Sequence, residues 1–286
     1  MSRRDSIVLW PLRESNLRQT QVPFKEAGQA RWALFRYPSQ SGCGAVFQLA
    51  MRLAWFTIKP MLIHRWLVLA LSSSIAFTAF AVDDAGWKNL VQGETLKGWV
   101  QKGGAAKYRV EKGEIIGSTA PNTPNSFLCT TRDFTNFILE VEYKVAEGLN
   151  SGVQIRSHSY DHPTEVEWKD KTYKVKAGTV HGYQVEIDTT KRAWSGGIYE
   201  EGRRGWLVNL TNNPAAQKAF KHDDWNRYHI EAIGDSLKTS INGVPAADLK
   251  DAQDASGFIA LQVHGVGKRT NDLEVRFRNI RIKELP

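Results

Sequence analysis

The chain has 286 residues, 42% apolar and 24% charged, with 38 Lys and Arg against 30 Asp and Glu and a formal net charge of +8. This is ordinary globular composition, and it excludes a collagen, a disordered tail, a disulfide scaffold and a coiled coil. The basic excess does not point to nucleic acid, because residues 1–81 hold ten Lys and Arg against three acids while residues 82–286 hold 28 against 27. A near-neutral body offers no broad footprint for a phosphate backbone, so no nucleic-acid partner is expected.

In chain order, residues 1–60 show no clean helical or strand period and resemble no domain. They are expected to be over-extended translation upstream of a start at Met61, or else an atypical leader. Residues 61–81 then read as a secretory signal peptide. Met61-Leu-Ile-His-Arg65 is a short basic opening, Trp66 to Phe80 is an apolar run, and Ala79-Phe80-Ala81 gives the small-x-small cleavage pattern. The run is shorter than the ~20 residues of a membrane span. A periplasmic or secreted protein with no stable membrane span after cleavage is expected. Residues 82–286 contain one cysteine, Cys129, which cannot form an internal disulfide and reads as a small core residue.

Beyond Ala81 no sustained helical period occurs, and short β-type runs are punctuated by Gly, Asn, Asp and Pro. Strands are expected near 107–111 and 114–118, joined at Lys112-Gly113. Others fall near 126–131, 136–145, 151–157, 182–188, 196–200, 225–233, 236–241, 257–264 and 274–284. Gly234-Asp235 and Asn242-Gly243 are turn dipeptides. The expected fold is all-β, an antiparallel sandwich within one domain. Residues 159–180, charged and aromatic, interrupt the pattern as a long insertion, either a binding loop or a solvated one.

Strand alternation carries the functional signal. Val153 and Ile155 oppose Gln154 and Arg156; Tyr183, Val185 and Ile187 oppose Gln184, Glu186 and Asp188; Ile259, Leu261 and Val263 oppose Gln262 and His264. If the three strands adjoin, one face gathers a carboxylate, a His, a guanidinium and amides, the groups of sugar recognition and proton transfer. A salt-bridged outer face is the alternative. Trp168, Trp194 and Trp206 flank this face in loop-like settings suited to stacking on a pyranose, with Trp194 favoured, whereas Trp99 and Trp225 read as core. No phosphate loop, nucleophile elbow or zinc motif is present. Asn209-Leu-Thr211 is a weak glycosylation match, and His158, His162 and His181 could join His264 at a metal only without diagnostic spacing.

Seven motifs in order resemble the 3-keto-disaccharide hydrolase family from about Gly86 to Leu285. They are Asn150-Ser-Gly-Val-Gln-Ile-Arg156, Gly182-Tyr-Gln-Val-Glu-Ile-Asp188, Ser195-Gly-Gly-Ile-Tyr199, Asp224-Trp-Asn226, Ile241-Asn-Gly-Val244, Gly257 to Gly265 and Phe277-Arg-Asn-Ile280. The resemblance implies a concanavalin A-like jelly roll and a carbohydrate substrate. The chain departs from the commoner pattern in exchanging acid and amide at Gln184 and Glu186, in Val263, and in the long run from Arg192 to Trp206.

The implied chemistry is cleavage of 3-keto-glycosides. A ketone at C3 makes the C2 proton acidic, so a base can expel the aglycone from C1, and water adding to the enone completes a net hydrolysis. In these roles the resemblance casts Glu186 or His264 as base. Arg156, or a divalent metal ion held by some of Glu186, Asp188 and His264, is cast as enolate stabiliser. Gln154, Gln184, Tyr199 and Gln262 would orient hydroxyls, and Trp194 would stack. No cofactor beyond that ion and no protein partner is implied. The alternatives are a lectin-like binding module and a conventional retaining glycosidase. The latter would use Glu186 and Asp188 but lacks a further Glu in Thr189-Thr-Lys-Arg192.

Overall fold

The computed structural model describes residues 85–286; the expected signal peptide at 61–81 and the segment before it lie outside them. The first strands are β1 (Trp87–Asn89), β2 (Trp99–Gly103), β3 (Lys107–Glu111), β4 (Glu114–Ser118), β5 (Ser126–Thr130) and β6 (Phe137–Val145). Next come β7 (Ser151–His158), β8 (Thr164–Trp168), β9 (Lys171–Val175), β10 (His181–Ile187), β11 (Ile198–Glu201) and β12 (Gly205–Val208). A short helix, α1 (Pro214–Ala219), precedes β13 (Asn226–Ile233), β14 (Ser236–Ile241), β15 (Val244–Lys250), β16 (Phe258–Val263) and β17 (Glu274–Glu284).

The strands form two antiparallel sheets. One runs β15-β14-β13-β6-β17-β4-β3 with β1 added beside β17, and the other runs β12-β11-β10-β7-β16-β5-β2. Period-two patterning builds the layer between them. In β6, Phe137, Leu139, Val141, Tyr143 and Val145 are buried in the same core as Val153, Ile155, Tyr183, Val185, Ile187, Ile259, Leu261 and Val263 of the second sheet. The fold is thus the expected all-β antiparallel sandwich. Asn242-Gly243, with φ of 50° and 81°, makes the tight β14–β15 turn.

The differences from the sequence reading have local causes. Residues 159–180 contain the hairpin β8–β9, a separate two-stranded sheet, where the sequence reading expects a loop; its strands carry charged residues between half-buried ones and so lack an apolar signature. Helix α1 spans only six residues, too few to show a period, and is fixed by Asn213, whose side chain accepts the Ala216 N–H. Trp225 is half-buried under the Arg278 guanidinium, 3.8 Å from its ring centre, whereas Trp99 is core. Cys129 is fully buried, and burial pushes its thiol up to about 12, the behaviour of an inert packing residue. No helix among the described residues is long and apolar enough to cross a membrane.

One irregularity governs the second sheet. Between Tyr183↔Ile155 and His181↔His158, β7 carries an extra residue, and the β16 pairing shifts at the same point. Arg156 sits in this bulge with φ of 46°. Gly257, at φ of 155°, allows the neighbouring chain to pass, since a Cβ there would lie 2.5 Å from the Arg156 carbonyl carbon. The bulge turns Arg156 away from the amides of its own strand. The side chain is fully buried, donating from Nε to Thr135 O (2.8 Å) and from Nη1 to Gly234 O (2.7 Å). Arg156→Ala is expected to cost about 3 kcal/mol in denaturant unfolding, the size of two hydrogen bonds from a charged donor.

Candidate functional site

In the second sheet β10, β7 and β16 are neighbours, so the face opposite the core gathers the residues that alternation placed there. Glu186 opposes Gly152, Gly152 opposes Gln262, and Gln262 opposes Phe127 of β5, giving one row across four strands. A cavity of about 390 Å³ lies over the row's polar end. It is lined by Asn125, Asn150, Gln184, Glu186, Arg192, Tyr199, Glu201, Trp206 and His264.

The floor is a directed chain of hydrogen bonds. Ser157 Oγ donates to Gln154 Oε1 (2.8 Å), Gln154 Nε2 to Gln184 Oε1 (2.7 Å), and Gln184 Nε2 to Glu186 Oε2 (2.9 Å). Asn150 Nδ2 donates to the other carboxyl oxygen at 2.6 Å. Gln184 can lie flat because residue 152 is glycine: a Cβ there would meet the Gln184 side chain at 2.5 Å. Beneath, Tyr228 of the opposite sheet donates its hydroxyl to the Glu186 carbonyl. Burial pushes the Glu186 carboxyl up to about 7, against the Asn150 and Gln184 bonds that oppose the shift. Glu186 is only 4% exposed.

A second carboxyl, Glu201, reaches in from β11. It accepts from Gln262 Nε2 (3.3 Å) and Asn125 Nδ2 (3.4 Å), and burial raises its pKa more than these long bonds lower it. The cation is Arg192. Its Nη2 lies 3.6 Å from Glu186 Oε1, and its Nε donates to Asp188 Oδ2 at 2.8 Å. The guanidinium also covers the Trp194 and Trp206 rings at 4.7 and 5.1 Å. Tyr199 packs edge-on against Trp206. At the rim His264 is exposed, and its Nδ1 donates to Gly265 O at 2.8 Å.

Of the residues singled out from sequence, Glu186, Gln184, Tyr199 and His264 line the cavity. Gln154 and Gln262 are wholly buried beneath it and act on its lining groups. Trp194 stands behind Trp206, 4.8 Å away edge-on, so Trp206 is the ring that meets the cavity. Arg156 is removed from it by the bulge. Asp188 is closed off: Thr190 N, Thr190 Oγ1, Arg192 Nε and Trp194 N all donate to its carboxylate. Its burial acts to raise the pKa, and these donors outweigh that and hold it low. Glu186, Asp188 and His264 therefore do not assemble as a metal site, and no group of three or more His, Cys, Asp or Glu among the described residues could hold one. His158 instead stacks on Tyr160, and His181 lies tilted against both rings.

Sequence reasoning passed over Asn125, Asn150, Arg192 and Glu201. Glu201 was accessible through alternation with Tyr199 on β11, and Asn150 borders β7. Arg192 and Asn125 lie in loops where no period places them. A further feature without sequence signal is the sealed ion network behind β11. Glu200 pairs with Arg203 (2.9 Å) and Arg204 (2.6 Å), and these reach Asp254 and Asp251, which holds the Tyr183 hydroxyl. It ties the β11–β12 turn to the loop before β16.

The fold and this carboxyl, amide and aromatic cavity define a carbohydrate-active β-sandwich domain. The chain belongs to the family of 3-keto-alpha-glucoside-1,2-lyase-like domains, which it matches over residues 86–283. Among curated proteins none matches it. Solved structures similar to it include a carbohydrate-binding module from Bacillus subtilis, 15% identical, covering 68% of this chain and 99% of that one with a TM-score of 0.46. Others are a protein assigned as a glycosyl hydrolase from Parabacteroides distasonis (18%, 70% and 94%, 0.45) and a protein of unknown function with a galectin-like fold from Bacillus subtilis (12%, 69% and 94%, 0.47).

The raised Glu186 pKa fixes a stability signature. Between its ordinary value and about 7 the folded state binds a proton that the unfolded chain has released, so this group's contribution to stability falls as pH rises through that window. Thermal melts at about pH 5 and about pH 8 should therefore show Glu186→Gln gaining on the wild type towards alkaline pH, by up to about 3 kcal/mol.

Proposed function

We propose that the protein cleaves 3-keto-glycosides by eliminating the aglycone. The observation that carries this reading is that two shielded carboxyls, Glu186 and Glu201, line one cavity together with the anchored Arg192 guanidinium. Glu186 is the base: it takes the C2 proton, and a carboxyl poised near neutrality suits abstraction of a proton α to a ketone. Arg192, held by Asp188, faces the C3 oxygen and stabilises the developing enolate. Glu201, whose carboxyl burial shifts towards the protonated form, gives its proton to the glycosidic oxygen as the C1–O bond breaks. Tyr199, Gln184, Asn125 and Asn150 orient hydroxyls, Trp206 offers its ring to the sugar, and His264 at the rim can direct the water that adds to the enone. Trp194 and Asp188 position Trp206 and Arg192. The signal-peptide reading of residues 61–81 supports a periplasmic or secreted location for this activity.

Three kinetic measurements test the roles. Glu186→Gln should lower kcat on a 3-keto-glucoside by about 10²–10⁴ while binding persists, and wild-type kcat should climb with pH through about 7 as Glu186 ionises. Glu201→Gln should cost a poor alkoxide leaving group about a hundredfold and a nitrophenolate almost nothing, the dependence expected of an acid catalyst. Equal turnover of a 3-keto-glucoside by wild type and Glu186→Gln would overturn the reading. Binding of sugar without cleavage of any keto-glycoside would make the domain a carbohydrate-binding module.

A further inference from the structure

The outward face of the second sheet changes character along the row that starts at Glu186. Past Gln262 it becomes apolar, where Phe127, Cys129, Phe258 and Ala260 form a buried cluster separate from the main core and closed by Val180 from the segment before β10. Beside this cluster a groove of about 610 Å³ opens, lined by Phe127, Val180, Ala177, Pro124, Asn125 and Glu201 among others. Asn125 and Glu201 also line the polar cavity, so the two spaces share a wall. Each volume falls in the range of about 300–1,000 Å³ typical of small-ligand sites.

We propose that this groove is the leaving-group subsite and that it selects an apolar aglycone. The inference rests on the elimination reading and adds the substrate class. Order along the face carries it. Glu186 stands at one end of the row, Glu201 lies against Gln262 in the middle, and Phe127 is at the other end, about 14 Å from Glu186 at three strand spacings. Elimination needs the same order, since C2–H and C1–O are on adjacent carbons and the aglycone lies beyond the oxygen.

The balance is complete without another reactant. The C2–H bond breaks to Glu186, its electron pair forms C1=C2, the C1–O bond breaks onto oxygen, and that oxygen takes the Glu201 proton to leave as an alcohol or phenol. The released molecule then lies on Phe127 and Val180. A second sugar there would find few partners, because beyond Asn125, Thr179 and Glu201 the lining side chains carry no hydrogen-bonding group. Burying its hydroxyls unpaired would weaken binding, whereas a hydrocarbon ring gains from leaving water.

The test compares cyclohexyl, glucosyl and methyl 3-keto-glucosides, whose alkoxide leaving groups are all poor. Calorimetric titration of Glu186→Gln should give the cyclohexyl compound an affinity about tenfold above the methyl one, with the glucosyl compound no better than methyl. Ala177 is an exposed residue of the groove wall, and adding Ala177→Asp should reduce the tenfold ratio to less than about threefold. Equal affinity for cyclohexyl and methyl, preference for glucosyl, or a ratio untouched by Ala177→Asp overturns the subsite. If the wild type cleaves the methyl compound in any of these cases, the elimination reading stands alone; if it cleaves none of the three, both fall.

Discussion

A buried amide or carboxyl must find a partner or lose several kcal/mol on leaving water, and this constraint shapes the outward face of the second sheet. Gln154, Gln184, Glu186 and Gln262 are all at most 4% exposed there. For Gln154, Gln184 and Glu186 the cost is met by the chain of donors that starts at Ser157, which fixes both amides in one orientation and leaves Glu186 as its terminal acceptor; Gln262 donates to Glu201. The same constraint explains the glycine at 152, the sealed ion network behind β11 and the raised carboxyl pKa values. A site assembled this way is preorganised, because its polar groups are held by the sheet before any ligand arrives.

The fold was legible in the sequence wherever apolar and polar residues alternate. Strands such as β6 and β10 follow period two closely, so their faces could be inferred, whereas the adjacency of β7, β10 and β16 entered the sequence reading only as a condition. The strands that escaped notice are short or lie at edges: β12 has four half-buried residues, and β8 and β9 pair only with each other. In β2 only Trp99 is buried, which leaves no alternation to read.

The candidate site was legible to the same depth and for the same reason. Glu186 and Gln184 follow from alternation alone. Arg156 follows from it too, yet lies elsewhere, because alternation assumes an unbroken ladder and the β7 bulge shifts the phase by one residue at that point. Arg192 supplies the guanidinium instead, from a turn shaped by the hydrogen bonds of Asp188, and no periodic rule reaches into such a turn. Local chemistry there, an Asp followed by Thr, Arg and Trp, is recognisable only once the acceptor is known to be buried.

The pairing of Arg192 with Asp188 has a consequence for charge conservation. A cation held only by Glu186 would lose its partner whenever Glu186 took up a proton, and the pocket would gain a full positive charge within a poorly screened space. Because Asp188 carries four donors and stays ionised, Arg192 is neutralised independently of its neighbour. A proton moving onto Glu186 then transfers one negative charge to the molecule that gave it up, and the total charge of protein and ligand within the cavity stays constant. Charge shifts by a few ångströms instead of being created, and in a medium of low dielectric that is the difference between a small electrostatic cost and a prohibitive one.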